Sequence, residues 1–369
     1  IILSCYPLFN LFEECNMSNF SLPRFTEQEI IEKRNKRLFS VPYNNSDPDQ
    51  YFEIIHPYLK NIDNVYLEYP GLIKTHLTKS NLNFEQIIEQ RNNTDKFLSK
   101  YGNKVKCVLA LNSCFYPMTP KDDLLFVSTE LKPLIEKYSC IKSVIVADFI
   151  MAESIRHFLP DIGIKTSCNT YQYITRPMVL WNKILKIEMF NPPRESARNI
   201  DLLKLNRMTG FKMKYLVNEN CVYGCPQQVN HCCYLASNTP SMYYCDYNTT
   251  FSDFLRSNFI LPRWLKYLDE YVDVFKIAGR TESLEFIKKA LDAYINERNN
   301  INLLDILQTR QDKAFKKIKS EFEIDTKYIP DKLLNCQCKD CDNCKVCQNV
   351  MKMIFNKNGI TDSDIISKI

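Results

Sequence analysis

Ser143-Val-Ile-Val-Ala-Asp148, the helical pattern Met151–Leu159 and then Gly163-Ile-Lys-Thr-Ser167 form the stretch that decides the fold. It reads as a short β-type run, a helix, and a second short run. Parallel strands need a crossover of a dozen residues or more, usually a helix, so this is one β/α unit. The same alternation extends in both directions. Upstream lie Arg37-Leu-Phe-Ser-Val-Pro-Tyr43, Asn64-Val-Tyr-Leu-Glu-Tyr69 and Val105-Lys-Cys-Val-Leu-Ala-Leu111. Downstream lie Ile184-Leu-Lys-Ile-Glu188, Met213-Lys-Tyr-Leu-Val-Asn218 and Val272-Asp-Val-Phe-Lys-Ile-Ala278. Helical patterns at Asp49–Leu59, Asn83–Tyr101, Leu124–Tyr138 and Arg198–Met208 separate them. Eight strands parted by helices over roughly 250 residues predict a parallel (β/α)8 barrel of the TIM type. A doubly wound open sheet is the alternative. It more often carries a glycine-rich phosphate loop, and the chain has only seven glycines and no such loop.

Most of these strands end on a polar residue: Asn44, Glu68, Asn112, Asp148, Ser167, Glu188, Asn218 and Lys276. Barrel enzymes place their sites where the C-terminal strand ends meet. Strands also simply stop where polar residues begin, so only the set, and no single position, predicts a polar mouth.

Two cysteine clusters carry the chemistry. Cys221-Val-Tyr-Gly-Cys225-Pro-Gln-Gln-Val-Asn-His231-Cys232-Cys233 follows the seventh strand, and Cys245 comes soon after. Cys336-Gln-Cys338-Lys-Asp-Cys341-Asp-Asn-Cys344-Lys-Val-Cys347 lies near the C-terminus. Together they hold ten of the sixteen cysteines. Soft thiolates this dense suit a metal, and an iron–sulfur cluster above all. Cofactor ligands are therefore expected among Cys221, Cys225, Cys232, Cys233 and Cys245. Adjacent side chains diverge, so Cys232 and Cys233 do not both ligate one cluster, and Cys233 is taken as the metal ligand of the two. Zinc is the rival, but Cys221 to Cys225 is C-x3-C where zinc sites usually show C-x2-C. In the second cluster Cys336, Cys338, Cys341, Cys344 and Cys347 form a second iron–sulfur site, with zinc as the alternative. Such a site serves either as a metal staple for the tail or as an electron relay to the first site. His231 is a candidate ligand, proton donor or hydrogen-bonded neighbour of a ligand. Lys276 and Arg280 are candidate anion-binding residues at the barrel mouth.

Sixteen cysteines also fit a disulfide-rich secreted protein. The metal-like bunching, the size and the lack of a convincing secretory signal favour a reducing, cytoplasmic setting. No apolar run is long enough to cross a membrane. Met17 is a candidate natural start, which would place residues 1–16 outside the fold. The expected organisation is an N-terminal segment 1–30, a barrel 31–295 and a cysteine-rich extension 296–369. Net charge is +5, too mild to imply nucleic acid. The lysine-rich Arg310–Lys319 is a solvated helix face or an RNA contact.

Val217-Asn218-Glu219-Asn220-Cys221, Cys225-Pro226, His231, Leu261-Pro262-Arg263-Trp264 and Phe275-Lys276-Ile277-Ala278-Gly279-Arg280 resemble the collagenase-like peptidase family U32. Asp148 and Lys165-Thr166-Ser167 with Asn169 fit it too, and the resemblance runs from about residue 37 to 290. It implies a β/α barrel and a cluster held by four cysteines. Members include oxygen-independent hydroxylation proteins for ubiquinone and for transfer or ribosomal RNA, and others bear a protease label. The cysteine spacing here is more compressed than in those hydroxylation proteins. The expected function is iron–sulfur-dependent modification, by hydroxylation, of RNA or a small aromatic substrate, with a redox partner or second subunit. The alternatives are a peptidase and a non-catalytic iron–sulfur partner subunit.

Overall fold

A computed structural model describes residues 26–72, 83–114, 119–170, 175–237, 254–308, 319–320, 322–336 and 341–359. Seven strands form one curled, wholly parallel sheet: β1 (Phe39–Pro42), β2 (Ile62–Leu67), β3 (Cys107–Leu111), β4 (Ile141–Val146), β5 (Gly163–Thr166), β6 (Lys214–Leu216) and β9 (Val274–Lys276). Their order is β5-β4-β3-β2-β1-β9-β6. β1 pairs parallel to β2, with Val41 opposite Val65. The expected pairing of the first two strands therefore holds. A parallel bridge Lys165–Met189 and another, Phe190–Met213, carry the ladder from β5 through residues 189–190 to the start of β6.

The sixth predicted strand, Ile184–Glu188, is a correction. Ile184 and Leu185 end the helix Thr175–Leu185, and the pairing begins at Met189. Both segments are short and apolar, which periodicity cannot assign to helix or strand. The other strand calls fall within a few residues of the observed elements.

The helices between the strands follow ordinary capping rules. For Phe84–Tyr101, Asn83 and Gln86 form a reciprocal capping box, each side chain accepting the other's backbone N–H at 2.9 Å. The helix then buries Thr94, Phe97, Leu98 and Tyr101 on one face. Burying Phe97 alone contributes about 2 kcal/mol. Asp148 caps the helix Phe149–Phe158 by accepting from the Met151 N–H at 2.7 Å.

Residues on each strand divide by parity. Phe39, Val41, Val65, Leu67, Leu109, Val144, Ile164, Tyr215 and Phe275 join the large core under the helices. Tyr66, Val108 and Ile145 form a separate cluster inside the curl. The interior also holds Ser40, Asn64, Ser143, Lys165, Lys214 and Lys276, all buried.

Beyond residue 296 the chain packs into the main core rather than apart from it. Leu303, Leu304, Ile329, Leu333, Met351, Ile354 and Phe355 belong to the same cluster as the strands. Arg198, 2% exposed, donates to the carbonyls of Leu333, Leu255 and Ser257. Trp264 Nε1 donates to Asp331 at 2.6 Å. The lysine-rich segment Arg310–Lys319 lies outside the described residues but for Lys319. Among the described residues no helix is long and apolar enough to cross a membrane.

Candidate functional site

The strand β6 runs on through Val217 into β7 (Asn218–Val222), which leaves the parallel sheet and pairs antiparallel with β8 (Ser257–Phe259). Asn218 makes that departure rigid. Its amide donates to the Ala278 and Ile306 carbonyls at 3.0 Å each and accepts from the Ala278 N–H at 2.6 Å. Its role is therefore structural. Gly224 then turns the chain at φ +68°, a conformation glycine adopts without a Cβ penalty. Cys225 follows the turn, and the helix Gln228–Ser237 carries His231, Cys232 and Cys233.

The centre of the site is Arg194, the first residue of the 3-10 turn Arg194–Arg198 that follows the 189–190 bridge. Its guanidinium donates to Glu219 at 2.9 Å and to Asn169 Oδ1 at 3.0 Å, and lies 3.7 Å from the Cys232 sulfur. Glu219 in turn accepts from the backbone N–H groups of Asn220 and Cys221, at 3.0 and 3.2 Å. The thiols of Cys168, Cys232 and Cys221, with Glu219, all feed the field that holds the Arg194 charge against its burial. Cys114, just after β3, hydrogen-bonds with the Cys232 thiol, and Cys233 donates weakly to the Cys114 carbonyl at 3.8 Å. The sequence-predicted Cys221, Cys225, Cys232 and Cys233 thus share one neighbourhood, with Cys232 nearer to Arg194 than the expected Cys233. Cys114 and Cys168 join them. Burial, and then the neighbouring Glu219, push the Cys221 thiol well up. Burial also lowers His231.

Lys276 and Arg280 stand on the other side of the mouth. The Lys276 ammonium lies 4.4 Å from the centre of the Tyr66 ring, and burial lowers it to about 8. Arg280 stacks over the same ring at 5.6 Å and pairs with Glu68 at 2.7 Å. Its charge is thus already engaged by a carboxylate. Lys276 lies within electrostatic reach of Cys168, Arg194 and Glu219.

Glu188 does not belong to this mouth. It accepts from Ser143 at 2.5 Å and pairs with Lys165 at 3.2 Å, beside Gly163, the first residue of β5. That is the N-terminal end of the strands. The polar residue chosen from the sequence followed a helix end rather than a strand end.

The donor set is of the soft type that an iron–sulfur cluster uses: buried Cys168 and Cys232 and half-buried Cys114, Cys221, Cys225 and Cys233, beside a cation. Among the described residues no three His, Cys, Asp or Glu side chains stand as a ready metal-binding group. Cys245 lies outside the described residues. In the C-terminal cluster Cys347 is buried, Cys336 half-buried and Cys344 exposed. Cys338 lies outside the described residues, as does the side chain of Cys341.

No family model matches the chain. Over 264 residues it is 27% identical to the uncharacterized protease MJ1657 of Methanocaldococcus jannaschii, covering 66% of this chain and 74% of that one. The relative's name agrees with the protease label borne by part of the U32 family that the sequence resembles. Among solved structures, the U32 peptidase Mk0906 is similar at a TM-score of 0.48 and 9% identity, covering 67% of this chain and 94% of that one. A conserved Enterococcus faecalis protein of unknown function is similar at a TM-score of 0.37 and 14% identity, covering 76% and 71%. In this chain Glu219, of the U32-like motif, pairs with Arg194 and holds the Cys221 N–H, and both Arg194 and Glu219 act on Lys276.

Proposed function

We propose that this U32-like chain is an enzyme that holds an iron–sulfur cluster on the thiols around Arg194 and modifies a substrate bound at the same mouth. The sheet is read as a closed eight-stranded barrel, with residues 189–190 as its short eighth stave. The observation that carries the reading is the largely buried Arg194, held by Glu219 and Asn169 with the Cys232 sulfur at 3.7 Å. A buried guanidinium with one carboxylate partner suits a site where several thiolates accumulate negative charge. Cys221, Cys225 and Cys232 would supply ligands, with Cys114, Cys168 or Cys245 completing the set. When bound, the cluster supplies one-electron chemistry. The chain's own residues do the rest: Tyr66, Lys276 and Arg280 form a cationic aromatic wall on which a planar or anionic substrate can stack. Hydroxylation of RNA or a small aromatic acceptor is the reaction class that suits such a wall. A comparison of modified nucleosides and quinones in cells with and without the gene tests it, and an unchanged profile in both classes would end the hydroxylation reading.

The relative's name, an uncharacterized protease, favours peptide hydrolysis as a second reading. A peptidase using Cys221 as nucleophile should cleave peptides without iron and stop on alkylation. An iron-dependent modifier should do neither.

A further inference from the structure

A second site lies deeper in the curl of the sheet. Lys165, Lys214 and Lys276 project into the interior from β5, β6 and β9, and each is at least nine-tenths buried. Their carboxylate partners are unevenly placed. Asp63 and Glu188 both go to Lys165, at 3.7 and 3.2 Å. Glu219 is taken by Arg194 and Glu68 by Arg280. Lys276 rests on the Tyr66 ring. Lys214, with no exposed surface, has an Nζ without a hydrogen-bond partner.

The register brings Lys214 and Lys276 together. Lys214 pairs with Val274 and Leu216 with Lys276, so the two lysines are diagonal neighbours on the inner face of adjacent strands. Ser40 stands beside Lys276 across the β1–β9 pairing. A buried amine left without a partner costs heavily, and native proteins seldom leave one so. Lys165 and Lys276 both act on Lys214, while the two carboxylates that act on it, Asp63 and Glu188, are paired with Lys165, so an anion beside Lys214 would supply the missing partner.

We propose that the barrel interior binds one small monovalent anion, a halide or a carboxylate group, between Lys214 and Lys276. The anion satisfies the Lys214 Nζ and cancels the repulsion among the three lysines. Burial, and then the charges of Lys165 and Lys276, drive the free amine toward its neutral form against the smaller opposing pull of Asp63 and Glu188. Anion binding reverses that pressure. The site shares Lys276 with the mouth but uses no thiol, so it would exist in a protein without metal.

The test uses the full-length protein at constant ionic strength, with sodium bromide and sodium acetate each titrated against a bulky anion as replacement. A saturable rise in melting temperature is expected in the wild type and in the surface control Lys142→Met. Binding should weaken at least about tenfold in Lys214→Met and in Lys276→Met. Crystals soaked in bromide should show an anomalous peak within hydrogen-bonding reach of Lys214 Nζ, a readout that needs no variant. Displacement of that peak by acetate identifies a carboxylate site, and its persistence a halide site. No rise in the wild type, an equal rise in both interior variants, or no peak near Lys214 would each overturn the proposal.

Discussion

The Arg194 guanidinium and the Glu219 carboxylate meet at 2.9 Å with both side chains largely buried, at 11% and 14% exposure. Glu219 also holds the N–H groups of Asn220 and Cys221, so the pair fixes the backbone from which Cys221 projects. Arg194→Ala leaves Glu219 buried and uncompensated, at a cost of about 3 kcal/mol. Arg194→Lys keeps the charge but loses the fork that reaches Glu219 and Asn169 together, and should fall between. Urea unfolding of the two variants checks this, and a loss under about 0.5 kcal/mol for Arg194→Ala would show the pair to be incidental.

Cys114→Ser should disturb the Cys232 side of the site, because those two thiols are hydrogen-bonded to each other. Cys140→Ser, on a buried cysteine packed against Leu98, should not. Iron content of the two variants, prepared anaerobically and compared with the wild type, separates them. Equal content in both would remove Cys114 from the site.

Truncation before Asp331 should unfold the whole protein. It removes the Leu333 carbonyl on which buried Arg198 docks, and the apolar contacts of Leu333, Leu334, Met351, Ile354 and Phe355. At about 2 kcal/mol for each of these side chains the loss is about 10 kcal/mol, comparable with the stability of an ordinary domain. Circular dichroism of the chain ending at residue 330 reads the outcome directly, and a cooperative melt near that of the full chain would refute it.

Asp331 gives an acid-sensitive clamp. Burial raises its carboxyl, but hydrogen bonds from Trp264 and Arg263 outweigh that and hold it below the usual carboxylate range. The clamp is therefore complete above the unfolded carboxylate value of about 3.9 and is lost as pH falls through the lower folded value. Asp331→Asn should flatten the stability profile below about pH 4 and leave its shape near neutrality unchanged. Denaturant midpoints from pH 2.5 to 7 measure this. A parallel fall in variant and wild type would assign the acid sensitivity elsewhere.

Much of this was legible in the sequence, and the failures have physical causes. The runs at β1 to β5, β6 and β9 stand out because the face of each strand under the helices is apolar at alternate positions, although the inner face also holds Ser40, Asn64, Ser143, Lys165, Lys214 and Lys276. Residues 189–190 were missed because two residues of pairing leave no periodic trace. The clustered thiols at 221–233 were legible because one turn and one helix hold them. Cys114 and Cys168 were not, since each lies alone after a different strand and only the curl of the sheet brings them to Cys232 and Arg194. Arg194 itself sits in Asn191-Pro-Pro-Arg194, a stretch with no motif, and nothing in its neighbours marks it as the centre of the site.

Iron and acid-labile sulfide in protein purified without oxygen test the central claim most directly. The thiol group around Arg194 predicts a brown protein containing both, with Cys221→Ser and Cys225→Ser losing that group's share while remaining folded enough to purify. A colourless protein that binds only zinc, or iron content that survives both substitutions unchanged, would contradict it.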